Sequence, residues 1–362
     1  MLPEQRELIS KNQEIIYTFR RRGANLPESQ LSFLLKKLDK SFPTVKKIID
    51  ELKRNNIILD SKKFLLNPDF AYFVGFYVTD DEVEVELLNF ELESVLDKVL
   101  PYYTSKIHYK SSFDIWNLMQ TMLDKISEKV NVTAIAIIFD KFMSYTNAEE
   151  SLAYFESGCK LKLYDLSVLF KTSRNLMPIP FRSGVLGDSV LAYALYLREK
   201  VFESDSIVYY DLDQNRISYV KNNILNKSSC PVFGLVFPRF SNKQKDLFKK
   251  LATVPDDEYS NMLIDNKEEI LSAISPACIQ ISSFFNPEHF IISGKWIKKE
   301  QFENFLFFYN RFFNFNDYEL LSNGMSIGNS SLHPRVMNRT EQPQRGAGIY
   351  AAYSFFNWDL KW

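Results

Sequence analysis

The sequence predicts a mixed α/β protein in two parts: an N-terminal winged helix-turn-helix and a two-lobed α/β body behind it. Three observations predict it. Residues 1–66 carry 14 Lys/Arg against 8 Asp/Glu, a net of +6, while the rest of the chain is net −7. Within that basic head the hydrophobic periodicity runs helix, helix, turn, helix, hairpin. Beyond it, strands and helices alternate in two similar sets, as a two-lobed α/β fold requires.

In residues 12–22 of the head, Ile15, Ile16 and Phe19 share one helical face, and Gly23 ends the helix. Leu31, Leu34, Leu35 and Leu38 then repeat at three- and four-residue spacing, which marks a second core-facing helix. Ser41 is a natural N-cap, and Pro43 fits the first turn of a third helix, where its missing N–H is no loss. That helix, 42–55, buries Val45, Ile48, Ile49 and Leu52. Thr44, Lys46, Lys47, Lys53 and Arg54 lie off the apolar stripe. A small polar N-terminus and a cationic outer face suit the major groove, where the first residues reach bases and the lysines neutralise phosphates. Residues 57–59 and 64–66 read as two short strands of a wing, with Lys62 and Lys63 at its tip. Ser41, Pro43, Thr44, Lys46, Lys47, Lys53, Arg54, Lys62 and Lys63 are therefore the expected contacts to double-stranded DNA. The competing reading is a basic helical bundle that binds protein.

In the body, AYFVGFYVTD and EVEVELLNF are strands, the second with clear period-two alternation at Val83, Val85 and Leu87. A helix over 111–130 leads to an apolar strand at 132–139. The second set has a helix at 187–202, strands at 206–210 and 216–220, a long helix at 258–285 and a strand at 289–293. Helices at 299–313 and 345–358 close the chain, and 322–344 reads as a surface loop. Rings crowd residues 302–315, more than one helix face can bury, so part of that segment is a candidate dimer contact. The 362 residues are 46% hydrophobic and 25% charged, with no apolar run of the ~20 residues that span a bilayer. No signal-peptide layout is present, so the expected location is the cytoplasm, without membrane contact. Cys159, Cys230 and Cys278 are far apart and offer neither a disulfide framework nor a metal knuckle. His108, His289 and His333 are scattered, and each reads as structural or surface.

The winged helix joined to LLNPDFAYFVGFYV, the segment PEHFIISGKWIKKEQFENFL and the closing RGAGIYAAYSFF together resemble the ROK family (repressors, open reading frames, kinases). The resemblance covers nearly the whole chain and is to the repressor branch of xylose-operon and N-acetylglucosamine-operon type. It implies an actin-like sugar-kinase body behind a DNA-binding head. Domains are then expected at 1–66 for the head, 67–182 for the first lobe and 183–344 for the second, dimerising lobe. The C-terminal helix, 345–362, is expected to pack back on the first lobe.

The kinase parts of that family are not recognisable here. Where the family has a DxGGT phosphate loop, this chain has Gly75 to Asp81, with Tyr77 in place of the acid and Thr79 and Asp80 in place of the glycines. Phosphate would meet side chains and negative charge instead of backbone amides. The second loop, after 206–210, reads DLDQNR without a glycine. Gly184 takes the place of the catalytic Asp, and no Cys-rich zinc loop or ExGH motif occurs in 225–260. No zinc and no ATP are therefore expected, no catalytic residue is assigned, and the body reads as a pseudokinase-like dimerisation platform. A homodimer or dimer of dimers would place two heads on half-sites one DNA turn apart. A second reading keeps a sugar or sugar-phosphate effector in the inter-lobe cleft, with Arg182, Ser183 and Asp188 as candidate contacts. A third keeps an active sugar kinase.

Overall fold

A computed structural model describes residues 1–22, 41–60, 65–79, 81–110, 112–140, 143–147, 150–154, 160–162, 179–187, 189–190, 192–193, 206–212, 216–221, 224–226, 240–285, 289–309, 335–336 and 343–356. In chain order these form α1 (Pro3–Lys11), α2 (Gln13–Arg22), α3 (Phe42–Arg54), β1 (Tyr72–Val78), β2 (Glu82–Leu88), α4 (Leu96–Val99), β3 (Lys106–His108), α5 (Ser112–Ser127) and β4 (Val132–Phe139). Then come β5 (Met143–Asn147), β6 (Glu150–Tyr154), β7 (Lys160–Lys162), β8 (Phe181–Val185), β9 (Ser206–Asp211), β10 (Arg216–Lys221) and β11 (Ile224–Asn226). The remainder are α6 (Asn242–Thr253), α7 (Asp256–Asp265), α8 (Lys267–Phe285), β12 (His289–Ser293), α9 (Lys299–Phe308), β13 (Arg335–Val336) and α10 (Pro343–Phe356). Two compact units result, Met1–Glu203 with Pro343–Leu360, and Ser204–Gln342 with Lys361–Trp362. The expected lobe boundary at 182/183 thus moves to Glu203/Ser204. The cause is β8, which pairs in parallel with β4 from Ile135↔Phe181 to Phe139↔Val185 and so belongs to the first sheet.

The first unit is built on a sheet of order β3-β2-β1-β4-β8. β1 runs antiparallel to β2 and parallel to β4. Val83, Val85 and Leu87 point to one face, where Ile115, Met119 and Leu123 of α5 close the core. This is the period-two pattern of the sequence realised in space. The opposite face of β1 receives α10, and the approach is close enough to require glycine. A Cβ on Gly75 would lie 2.1 Å from the Gln344 carbonyl oxygen and 2.3 Å from the Gly348 nitrogen. A Cβ on Gly346 would collide with Ser189, whose hydroxyl donates to the Pro343 carbonyl at 2.5 Å. α10 is accordingly apolar around almost its whole circumference.

The second unit repeats the plan with order β11-β10-β9-β12-β13. The β9–β10 pair is antiparallel and the β9–β12 pair parallel. Its core joins Tyr210 and Phe290 of the sheet to Leu271, Ile274 and Phe302 of the helices. Trp296 stacks on Phe248 at 4.3 Å and meets Phe302 edge-on. Cys278 is fully buried in this core, and burial pushes its thiol far above the ordinary range, which keeps it inert. The expected long helix 258–285 is two helices. Asn266 takes φ −111°, and its side-chain amide donates to the Met262 carbonyl at 2.9 Å, which caps α7 and starts α8. Within the expected loop 322–344, Arg335 and Val336 form β13 beside Ile291 and Ile292. The helix expected at 187–202 lies largely outside the described residues.

Replacing Gly75 with Ala places a methyl against backbone that cannot rotate away. The expected cost is at least about 2 kcal/mol, seen as a lower urea midpoint for the first unit. A wild-type midpoint would show that α10 is not seated on β1 in this way.

Candidate nucleic-acid interface

α3 separates its residues by face. Val45, Ile49 and Leu52 are buried, and Ile48, expected in the same stripe, is half-buried. Ser41, Phe42, Pro43, Thr44, Lys46, Lys47, Asp50 and Arg54 are exposed. Ser41 stands at the N-cap but makes no side-chain bond to the helix amides. Its hydroxyl instead shares a 2.8 Å hydrogen bond with the Thr44 hydroxyl. Lys53, also among the expected DNA contacts, is only 20% exposed and pairs with Asp60 at 3.5 Å. With Asp60 95% exposed, water screens that pair heavily.

The helix ends at Asn56, whose φ of 56° is left-handed, a conformation Asn tolerates better than most residues. The chain then enters a hairpin. Ile58 and Leu66 form an antiparallel bridge, the Leu59 amide donates to the Leu65 carbonyl at 2.9 Å, and the Asn67 amide donates to the Ile57 carbonyl at 2.9 Å. Ile57, Ile58 and Leu66 are buried beneath it. This is the base of the expected wing. Its tip, with Lys62 and Lys63, lies outside the described residues, as do Gly23 and the second helix of the head.

A helix that hydrophobic periodicity does not predict precedes this motif. α1 begins with Pro3 and Glu4 in its first turn and ends with Lys11, and these end signals are visible in the sequence. It docks on the C-terminal end of α10. Arg6 Nε donates to the Phe355 carbonyl at 2.7 Å, and its guanidinium lies 4.6 Å from the Phe355 ring centre. Ser10 Oγ donates to the Phe356 carbonyl at 2.7 Å. These are terminal helix carbonyls without an intrahelical partner, and a cation there also opposes the helix dipole favourably. From α2, where Ile15, Ile16 and Phe19 are buried as expected, the buried Arg20 donates to the Phe90 carbonyl at 3.2 Å.

In the body, the β1–β2 reversal is closed by side chains. The Thr79 hydroxyl accepts from the Glu82 amide at 3.2 Å, and the Thr79 amide donates to the Glu82 carbonyl at 3.0 Å. Tyr77 is buried, and its hydroxyl donates to Asp140 Oδ1 at 2.6 Å. Asp140, at the carboxyl end of β4, is a buried carboxylate that no motif in the sequence singles out. Gly184 is an interior residue of β8, paired with Ile138. Arg182 and Ser183 lie on the same strand, and their side chains, like the whole of Asp188, fall outside the described residues. His108, read as solitary, is the cross-strand partner of Glu82. Asp81, Glu82 and His108 each bring a ligand atom within 4.8 Å of the others. The Lys106 ammonium already engages Glu82 and Glu84, so a cation there would compete with it. In the second unit, α7 and α9 border an apolar groove of about 480 Å³ lined by Leu263, Ile264, Phe305 and Phe308. Ile264, Phe307 and Phe308 are exposed beside it. No described helix is long and apolar enough to cross a membrane.

No family model matches the chain, and no curated protein matches its sequence. Solved structures do. A ROK family transcriptional regulator, a homolog of the E. coli MLC protein, superimposes with a TM-score of 0.63 at 12% identity, over 95% of this chain and 96% of that one. A ROK family protein from Streptococcus pneumoniae, crystallised with sucrose, gives a TM-score of 0.51 at 10% identity, over 79% and 97%. A ROK family glucokinase from Streptomyces griseus gives 0.44 at 11% identity, over 78% and 98%. The fold is thus the mixed α/β fold of these ROK-family structures, and the described N-terminal helices are consistent with a helix-turn-helix.

Substituting Arg6 and Ser10 by Ala removes both bonds to the end of α10. Amide exchange in α1 is expected to rise about 30- to 2,000-fold, the value of one bond to a charged donor plus a neutral one. Exchange in β1 and β4 should not change. Unaltered protection in α1 would show that these contacts do not hold the head.

Proposed function

We propose that the chain is a divergent ROK-family transcriptional regulator, a repressor that binds double-stranded DNA through α3 and its wing. The observation that carries the reading is the outer face of α3. Lys46, Lys47 and Arg54 are exposed there, and among the described residues none has a carboxylate within ion-pair distance. Three uncompensated cations on one face of a helix followed by a hairpin are an arrangement for phosphates. Likeness in fold to a ROK transcriptional regulator over 95% of the chain supports the same reading. An operator as partner puts the protein in the cytoplasm.

The body, on this reading, is a dimerisation platform that needs neither zinc nor ATP. The exposed Ile264, Phe307 and Phe308 support pairing of two copies through the second unit. The Tyr77–Asp140 bond supports loss of phosphoryl transfer, since a tyrosine committed to a neighbouring carboxylate stands where the resembling kinases have the acid of the phosphate loop. Purified protein is expected not to hydrolyse ATP with any common sugar, and robust turnover would overturn this part.

Footprinting the full-length protein upstream of its own gene tests the main claim. Two protected half-sites one turn apart are expected. Replacing Lys46 and Lys47 with Ala should weaken binding and flatten its salt dependence, the log–log slope falling by about 0.9 for each phosphate no longer neutralised. Unchanged affinity at every salt concentration would remove α3 from the interface.

A further inference from the structure

The exposed face of α3 holds one residue that phosphate binding does not explain. At about 100° per residue, Pro43, Lys47, Asp50 and Arg54 fall within roughly 60° of arc, opposite the buried Val45, Ile49 and Leu52. Asp50 lies at one edge of that arc and, along the helix axis, between the two cations. Among the described residues its carboxylate has no hydrogen-bond or ion-pair partner. Arg54, one turn on, sends its Nε to the Asp50 backbone carbonyl at 3.3 Å and not to the carboxylate. Lys46 and Lys47 make no ion pair with it either. Asp is a poor residue for a helix interior, and a carboxylate facing phosphates is repelled. An internal salt bridge would account for it, but none is made among the described residues.

A base edge accounts for it. A carboxylate is an acceptor only, so in the major groove it needs an amino donor. Cytosine N4 offers one; adenine N6 does too, but beside the N7 acceptor, which repels a second acceptor and suits an amide instead. We propose that Asp50 is a specificity-determining residue that accepts a hydrogen bond from a cytosine N4 in the major groove, flanked by Lys47 and Arg54. The seven residue steps from Lys47 to Arg54 rise about 10 Å, or roughly three base pairs, so the two cations reach the neighbouring steps. This rests on α3 being the DNA-reading helix, and it adds what that helix reads.

The test is selection from a random duplex library by the full-length protein, its Asp50→Ala variant and its Asp50→Asn variant, at one salt concentration. Wild type should enrich cytosine at one position in each half-site. Asp50→Ala should lose that preference by roughly 5- to 150-fold while leaving the other positions unchanged. Its binding to random DNA should tighten, because a repulsive charge is gone. Asp50→Asn should move the preference at that position toward adenine, whose N6 and N7 an amide matches. As an exposed substitution, each variant should keep the wild-type melting midpoint within the effect of about 0.5 kcal/mol usual at such sites. Identical preferences in all three proteins, or a loss of equal size at every position, would overturn the role of Asp50. Absence of any enrichment by wild type would instead overturn DNA reading by α3, and this role with it.

Discussion

The first unit depends on the contact between β1 and α10, where two backbones meet with no side chain between them. Gly75 on the strand and Gly348 on the helix remove the methyl groups that would hold the elements apart, and Gly346 does the same against Ser189. A helix normally stands about 10 Å off a sheet because side chains intervene, so this approach is a constraint and not a convenience. It sets the height of α10 over β1, β2 and β4, and through Ser189 it ties the start of α10 to the chain after β8. The other end of the same helix presents its last carbonyls to Arg6 and Ser10. The N-terminal head is thereby held by an element whose own position is fixed deep in the first unit. The link is polar and short, and a head anchored by a few directional bonds can be released by losing them.

That anchoring gives meaning to the two faces of α3. Ile57, Ile58 and Leu66 of the hairpin are buried like its stripe, and the Ile57 amide donates to the Leu52 carbonyl at 3.0 Å, which ties the wing base to the helix. Lys46, Lys47 and Arg54 face the other way and have no carboxylate partners to give up among the described residues. An exposed lysine without an ion pair is fully hydrated, and meeting a phosphate costs it little beyond counterion exchange. Lys53 differs in this respect, because its pair with Asp60 must open or be shared before it can serve DNA. Asp50 differs again, as a charge of the wrong sign in the middle of the cationic row.

The sequence made some of this legible and hid the rest for identifiable reasons. Periodicity located α2, α3, β1, β2, β4, β9, β12 and α10, because each buries one regular stripe or is apolar throughout. It failed at α1, whose single buried residue, Ile9, leaves almost no stripe to detect. It merged α7 and α8, because Asn266 breaks the helix by a side-chain bond and not by Gly or Pro. It placed Arg335 and Val336 in a loop, since a two-residue strand has no period. The lobe boundary failed for a topological reason: β8 is remote in sequence from β4 yet adjacent in the sheet, and pairing partners are not written locally. At the candidate interface, residue types announced the cations of α3. The wing-base hydrogen bonds and the Lys53–Asp60 pair needed the fold to appear. His108 looked solitary for the same reason, because β3 is too short to be recognised from sequence as the partner of β2.

Tyr77 shows how residue identity and geometry combine on the question of chemistry. From the sequence, a tyrosine stands where the resembling kinases have a phosphate-loop acid, which by itself says only that one group is missing. The structure adds that its hydroxyl is committed to Asp140, a carboxylate at the end of the neighbouring parallel strand. In α/β sheets the carboxyl ends of parallel strands are where ligands bind, so this is a position where a carboxylate would matter. A general base must present its lone pair to the substrate proton, and a carboxylate oxygen already accepting a 2.6 Å bond from a buried phenol has that direction occupied. The same bond spans the tips of β1 and β4 and stiffens the edge on which Gly75 and α10 converge. On the proposed reading, a position that would serve catalysis in a kinase is here a structural tie, and Tyr77 lies on the face of β1 that it shares with Gly75, the face that seats the helix anchoring the head.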